Sequence, residues 1–306
     1  MENTRGLVFH IIHGSFVDGH GIRTTVFLKG CPLRCLWCCN PEGQQDYPEI
    51  KFTLSLCDGC GRCLSACAPG ALRLVTGEDG DQLEIDRARC TGCGACGEAC
   101  SRGALELFGR EMSVDEVFAV VQKDEPFYRA SGGGVTIGGG EPTYQARFTL
   151  ALLRRCRENY LHTAVDTCGY TTTREGFQVL EEADLLLFDL KGMLPEEHRR
   201  HCGVSNEVIL DNLRRLAGRG KPLIIRVPVI PGYTDSAENI AAAAELLAKY
   251  RSVERVDLMA YHEYGMVKYG QLGRAYPLDV APPGPERMAD VRKIFEGYGL
   301  NVRLGG

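Results

Sequence analysis

The chain has 306 residues and a formal net charge of −5, with 44% hydrophobic and 25% charged residues. Those fractions exclude wholesale disorder, and the slightly acidic balance gives no general electrostatic case for nucleic acid. No run approaches the ~18 apolar residues a membrane helix needs, and the first 13 residues lack the sustained apolar stretch and small-residue cleavage site of an export signal. The expected setting is soluble and cytoplasmic. Twelve of the 15 cysteines fall within residues 31–100. In a reducing compartment such a concentration of thiols points to metal binding rather than disulfides.

In chain order, residues 22–28 make a strand ended by Lys29-Gly30, and the first cysteine group follows at once. Residues 48–108 change character, with short turns, many glycines and two cysteine-rich segments. A helix is expected over 113–123, where Ser113 caps and Glu116 completes a capping box. Further strands at 135–137, 162–165, 185–190, 223–229 and 255–261 alternate with helices at 143–160, 173–182, 205–219, 236–250 and 286–298. Such alternation indicates parallel β/α construction. Six strands fall short of the eight in a closed barrel, so the expected fold class is α/β, a partial (β/α)6 barrel. It is built from residues 1–47 and 109–306, with 48–108 inserted. Ligand-binding residues then belong at strand C-termini.

The two cysteine-rich segments repeat at an offset of 33 residues: Cys57, Cys60, Cys63 and Cys67 map onto Cys90, Cys93, Cys96 and Cys100. C-x2-C-x2-C-x3-C is the bacterial ferredoxin run, in which three thiolates grip one cubane and the fourth ligates the other. Cys57, Cys60, Cys63 and Cys100 therefore read as one [4Fe–4S] site, and Cys90, Cys93, Cys96 and Cys67 as a second. Zinc, the rival, prefers paired C-x2-C units separated by a longer loop. The proline that usually follows the last cysteine of the run is displaced to Pro69 after Cys67, and Ser101 follows Cys100.

Cys31, Cys35 and Cys38 form a different pattern, C-x3-C-x2-C, directly after a strand. Three thiolates on a cubane leave one iron without a protein ligand, and an open coordination position marks a reactive centre. Cys39 adjoins Cys38 and cannot easily reach the same cubane. This loop, with Asp18-Gly19-His20-Gly21-Ile22-Arg23 before it and Asn40-Pro41-Glu42 after it, resembles the radical S-adenosylmethionine (SAM) enzymes, and among them the glycyl-radical-enzyme activating enzymes. Further matching stretches are Gly139-Gly140-Glu141-Pro142, Asp166-Thr167-Cys168-Gly169-Tyr170, Asp189-Leu190-Lys191, Arg226-Val227-Pro228, Tyr261-His262, Lys268-Tyr269 and Leu272-Gly273. The family usually has Pro where this chain has His20 and Ser where it has Gly138.

The resemblance implies a radical SAM barrel with a ferredoxin-like bis-[4Fe–4S] insert, three [4Fe–4S] clusters in all, and bound SAM. It implies that Gly139, Gly140 and Glu141 grip the methionyl ammonium, that Lys191 meets the carboxylate, and that Asp166 lies near the ribose. His262, Arg226 and Trp37 are further expected SAM contacts, Trp37 near the adenine. Asp166, Thr167 and Asp189 together are a candidate site for a monovalent cation, and Asp18 and Arg23 for orienting the partner peptide. The implied chemistry is reductive cleavage of SAM to a 5′-deoxyadenosyl radical, which takes a Cα hydrogen from a glycine of a partner glycyl radical enzyme. A flavodoxin or ferredoxin-type reductant, no nucleic-acid or membrane partner, and a monomeric state complete the expectation. The segments 38–43 and 261–265 suggest an aromatic-substrate partner such as an arylacetate decarboxylase. The alternatives are a peptide-modifying maturase with auxiliary clusters and a ferredoxin-type electron carrier.

Overall fold

A computed structural model describes residues 4–77 and 80–305. Residues 1–3 of the amino-terminal stretch that lacks the features of an export signal lie outside the described residues. The chain starts with two antiparallel strands, β1 (Arg5–Ser15) and β2 (Arg23–Leu28). It then builds a small unit from β3 (Glu49–Phe52), α1 (Arg62–Ala66), β4 (Leu72–Gly77), β5 (Gly80–Ile85), α2 (Ala95–Glu98) and β6 (Leu105–Phe108). In that unit β3 pairs with β6 and β4 with β5, both antiparallel. Next, β7 (Arg110–Ser113) returns to pair with β1.

From there helices and strands alternate: α3 (Val114–Val121), α4 (Glu125–Ser131), β8 (Gly134–Gly139), α5 (Ala146–Glu158), β9 (His162–Thr167), α6 (Arg174–Glu182) and β10 (Leu185–Asp189) come first. α7 (Pro195–Cys202), α8 (Glu207–Gly218), β11 (Leu223–Val229), α9 (Ala237–Leu247), β12 (Val253–Ala260), α10 (Tyr264–Gln271), α11 (Pro285–Gly297) and β13 (Val302–Leu304) complete the chain. The main sheet has nine strands in the order β13-β12-β11-β10-β9-β8-β2-β1-β7. The six strands expected from periodicity are its parallel centre, β2, β8, β9, β10, β11 and β12.

The sheet curls. His20, just before β2, bonds Glu254 on β12 at 2.9 Å although β8 to β11 separate the two strands. The strands read as unbroken apolar runs because both faces are covered. On β10, Leu186 and Phe188 join the large core beneath the helices, while Leu185 and Leu187 meet Ala164 and Ile224 in a second layer. Each such fully buried side chain contributes about 1.5–3 kcal/mol. Among the described residues, no helix is long and apolar enough to cross a membrane.

The barrel portion has more elements than the periodicity announces. The marginal strands β1 and β7 at one side of the sheet, the edge strand β13 at the other, and helices α4, α7 and α10 are additional. α7 reads PEEHRRHC, with too few apolar residues to show a helical stripe, and is set by Pro195 in its first turn and Gly203 after its end. The capping box forms as expected: Glu116 N donates to Ser113 Oγ at 3.1 Å, and Ser113 N donates to Glu116 Oε2 at 2.6 Å. The helix expected over 143–160 begins later, at Ala146, because Pro142–Gln145 form a 3-10 turn capped by Glu141.

Candidate metal and ligand site

The loop after β2 carries Cys31, Cys35 and Cys38, all half-buried. It is held from both sides by backbone. Cys31 N donates to Gln44 O at 3.3 Å, Arg34 N to Cys202 O at 2.8 Å and Leu36 N to His201 O at 3.0 Å. The three thiols are close enough to act on one another electrostatically, and burial pushes Cys31 and Cys38 up to about 12 as thiols. Deprotonated together, these thiols would be costly unless a cation compensated the thiolates, and the set of three converging sulfur donors fits an iron–sulfur cluster. Lys191 adds a positive charge beside Cys31 and Cys35.

The ferredoxin-like segment folds its two cysteine runs across one another. One cavity is lined by Cys57, Cys60, Cys63 and Cys100. A second is lined by Cys67, Cys90, Cys93 and Cys96. Each therefore takes its fourth cysteine from the other run. Among the described residues no three His, Cys, Asp or Glu side chains close on a single point as they would around one metal ion. Four thiolates lining one cavity and drawn from both runs suit a cubane, where each thiolate binds a different iron. Gly61 and Gly94 sit at φ +70° and +84° at the starts of α1 and α2, turning the backbone around these cavities.

A polar cluster lies at the C-terminal ends of the central strands. Asp189 ends β10 and bonds Lys191 Nζ at 2.5 Å. Against the cost of its burial, Asp189 and Cys35 hold the Lys191 ammonium well above the ordinary lysine range. Asp166 on β9 accepts from Arg226 Nη1 of β11 at 3.1 Å, and Arg226 Nη2 also lies 3.5 Å from Asp18 Oδ1. Burial pushes the Asp166 carboxyl up to about 7, with Arg226 opposing and Asp189 and Asp18 adding to the rise. Arg226 Nε is buried with no hydrogen-bond partner. An orphaned donor of this kind costs about 1–3 kcal/mol, and a polar ligand such as SAM fits it. Gly138, where the family has Ser, leaves Asp166 room: a Cβ there would stand 3.1 Å from the Asp166 Cβ.

Other expected residues fall into different surroundings. Gly140 N donates to Leu28 O at 2.7 Å and Glu141 N to Gly30 O at 2.8 Å, so the glycine run is pinned against the base of the cysteine loop. The Glu141 carboxylate is buried and fully engaged. It accepts from Thr167 Oγ1 at 2.8 Å, Thr143 N at 3.1 Å and Cys168 N at 2.8 Å. Thr167 thus faces Glu141, while Asp166 and Asp189 face cations of the protein itself. Arg23 is fully buried, donating to Thr136 Oγ1 at 2.6 Å and to Val135 O at 2.8 Å. Asp18 accepts from Ser15 and Thr25, both at 2.7 Å. Trp37 is half-buried, its ring 6.3 Å from His201. His262 lies past β12, exposed, with its ring 4.4 Å from Tyr264.

Two cysteines without ligand spacing prove to be neighbours of the loop. Cys168 and Cys202 are buried with Leu33 and pack against Cys31, Cys35 and Trp37. Nothing local in the sequence announces this, because β9 and α7 deliver them from remote positions.

The profile of the Radical SAM superfamily matches residues 87–244, more than half of the chain, and that of the 4Fe-4S dicluster domain matches residues 56–104. The chain is 44% identical to the isethionate sulfite-lyase activating enzyme of Oleidesulfovibrio alaskensis over 90% of each chain. It is 42% identical to the (2S)-3-sulfopropanediol sulfolyase activating enzyme of Bilophila wadsworthia over 96% of this chain and 97% of that one. It is also 42% identical to the benzylsuccinate synthase activating enzyme of Thauera aromatica over 98% and 92%. The chain belongs to the radical SAM superfamily and, within it, to the glycyl-radical-enzyme activating enzymes that carry a dicluster segment.

Proposed function

We propose that this chain activates a glycyl radical enzyme, using three [4Fe–4S] clusters, and that residues 48–108 form the unit carrying two of them. The observation that supports this best is the gathering of Cys31, Cys35 and Cys38 beside the polar cluster of Asp166, Asp189, Lys191 and Arg226. When bound, the cluster at the three-cysteine loop supplies one electron to the SAM sulfonium, giving methionine and the 5′-deoxyadenosyl radical that removes a glycine Cα hydrogen from the partner. Lys191 offers a positive charge for the SAM carboxylate, and the unsatisfied Arg226 Nε a donor. Gly139 and Gly140 present backbone where the ammonium would lie. Glu141 serves there by holding the loop, since its own oxygens are engaged. Arg23, spent inside, holds the loop before β2 by donating to His20 O and, through Thr136, to the backbone of Asp18 rather than meeting the partner directly. A monovalent cation beside Asp166 and Asp189 would have to compete with Arg226 and Lys191, and Thr167 could reach it only through its carbonyl, since its Oγ1 donates to Glu141.

A flavodoxin or ferredoxin-type donor would supply the electron. The relatives include activating enzymes of sulfonate-cleaving and of aromatic-substrate enzymes, and the segments 38–43 and 261–265 lean toward the aromatic side, an arylacetate decarboxylase included. The test is anaerobic incubation of the reconstituted chain with SAM, reductant and a panel of glycyl radical enzymes of both kinds. 5′-Deoxyadenosine should form, and one panel member should acquire the doublet EPR signal of a glycyl radical. Absence of 5′-deoxyadenosine defeats the reading. Its formation with no protein radical in any panel member favours a peptide-modifying maturase.

A further inference from the structure

The 33-residue repeat gives the ferredoxin-like segment two cavities with matching cysteine positions, and the fold treats the two unequally. On the side of Cys67, Cys90, Cys93 and Cys96 the segment is packed onto the barrel. Gly92 is buried, and a Cβ there would stand 2.5 Å from Pro48 O, whereas on its repeat partner Gly59 it would meet nothing within 4 Å. Cys96 is buried and its partner Cys63 only half-buried. Ile50 lines this cavity, and Arg87 ties it to α10 by donating to Ile50 O and to Gln271 O. Glu49, next to Ile50, pairs with the fully buried Lys29 at 3.0 Å and with Arg274. Just before Pro48 the chain meets the three-cysteine loop, where Gly30 N donates to Gln45 O at 3.0 Å and Cys31 N to Gln44 O at 3.3 Å. This is the inner cavity.

The cavity of Cys57, Cys60, Cys63 and Cys100 is the outer one, and the repeat positions around it carry different chemistry. Arg62 and Arg102 line it, whereas the equivalent positions on the inner side are Ala95 and Pro69. Arg62 is exposed and has no ion-pair partner among the described residues. Arg102 is also exposed, with Asp58 no closer than 3.9 Å, and Asp58 itself accepts from Cys60 N at 3.2 Å. Leu54 and Leu56, just before Cys57, are 55% and 44% exposed, where the inner side has Arg87, its barrel contact, and Arg89. Cys60 and Cys93 both reach the surface, so exposure of the sulfurs does not separate the cavities. Their surroundings do: apolar and cationic on the outer side, taken up by the barrel on the inner one.

A cubane held by four thiolates is net negative, and two exposed cations beside it offset that charge for an approaching anion. They would draw in an acidic protein surface that the chain as a whole, at a formal net charge of −5, would repel. The leucines favour a carrier whose redox group meets the surface with an apolar edge, as the hydrocarbon ring of a flavin does. A second thiolate-bound cubane would instead bring its own negative charge up against the first. We propose that Arg62 and Arg102, with Leu54 and Leu56, form the docking face for an acidic flavodoxin-type electron carrier, and that the outer cluster is where its electron enters. One electron passes from the reduced flavin to that cluster, with no bond made or broken and no proton moved. The proposal rests on the reading of the eight cysteines as ligands of two clusters in an enzyme driven by a one-electron donor.

The test follows reduction of the full, anaerobically reconstituted chain at low salt by the loss of cluster absorbance. The reductant is either reduced flavodoxin or photoreduced deazaflavin, a small molecule that needs no docking face. Arg62→Glu with Arg102→Glu should slow reduction by flavodoxin about tenfold or more and leave reduction by deazaflavin unchanged. Added salt should slow flavodoxin on the unaltered chain toward the rate of the variant. Arg89→Glu, a charge reversal on the inner side, should leave both rates in place. Iron content is read first, and if the reversed pair has lost iron the neutral pair Arg62→Gln with Arg102→Gln decides, with a smaller slowing expected. Unchanged reduction by flavodoxin overturns the proposal, as does equal slowing by Arg89→Glu. Slowing with a ferredoxin but not with flavodoxin overturns the flavodoxin-type occupant. The cluster of the three-cysteine loop is identified as the EPR signal that changes on addition of SAM. Absence of any such SAM-responsive signal in the deazaflavin-reduced, unaltered chain overturns instead the enzyme reading beneath the proposal.

Discussion

At the scale of single residues, Glu141 separates what sequence and structure each supply. Its place after a strand and a glycine run marks it for the ligand, but its two oxygens accept from Thr143, Thr167 and Cys168. Glu141→Gln would set an amide N–H against the Cys168 N–H, an unsatisfied pair costing about 1–3 kcal/mol. The melting midpoint measured without SAM should fall, whereas a residue that only grips the ligand would leave it unmoved. The grouping of the cysteines was legible because cluster ligation would impose spacing along the chain. The engagement of Glu141 was not, because its partners lie 26 and 27 residues away on β9 and just after it. His198 is a second such residue. Burial lowers its pKa below 6.5, and its Nδ1 bonds Val204 O at 2.7 Å, holding α7 behind the cysteine loop. The unfolded chain takes up the proton first as pH falls. The ring's contribution is therefore complete above pH 6.5 and is lost as pH falls from there through the lowered folded value. His198→Asn, which keeps a donor near the Nδ1 position and does not titrate, should flatten the fall in melting midpoint below pH 6.5.

At the scale of elements, the central β/α alternation was readable because strands covered on both faces are uniformly apolar. β1, β7, α7 and α10 were not, since a marginal antiparallel strand or a short helix without an apolar stripe is fixed by what it packs on rather than by its own pattern. α10 shows this well: it presents Tyr264 and Val267 to solvent and buries Gly265 and Tyr269. The glycines of the site are the counterpart. A Cβ on Gly140 would stand 2.3 Å from Gly30 O and 2.6 Å from Gly43 O. Both are backbone atoms, flanking the three-cysteine loop on either side, and neither can yield without moving it. Gly140→Ala should therefore lose the cluster of that loop while the four-cysteine sites fill normally. Iron analysis would read this as a fall of about one third, given three clusters of equal size. A variant that retains full iron would place the strain elsewhere.

At the scale of the molecule, the 33-residue repeat and the exchange of fourth cysteines between its two cavities predict that the ferredoxin-like segment behaves as one cooperative unit rather than two consecutive ones. The first run contributes Cys67 to the cavity of the second, and the second returns Cys100 to the cavity of the first. Losses should then follow space and not sequence. Cys57→Ser and Cys100→Ser lie in opposite runs but line one cavity, so each should cost the same cluster and the double variant should lose no more iron than either alone. Cys57→Ser and Cys67→Ser lie in the same run but line different cavities, so their combination should lose about twice as much, roughly eight irons against four. Non-additivity is the signature of groups acting on a shared site, and additivity that of independent ones. Iron content of the reconstituted chains, with the SAM-responsive signal as an internal standard, distinguishes the two patterns. If Cys57→Ser and Cys67→Ser instead failed to add, each run would hold its own cluster, and the mutual capping that binds the segment together would be absent.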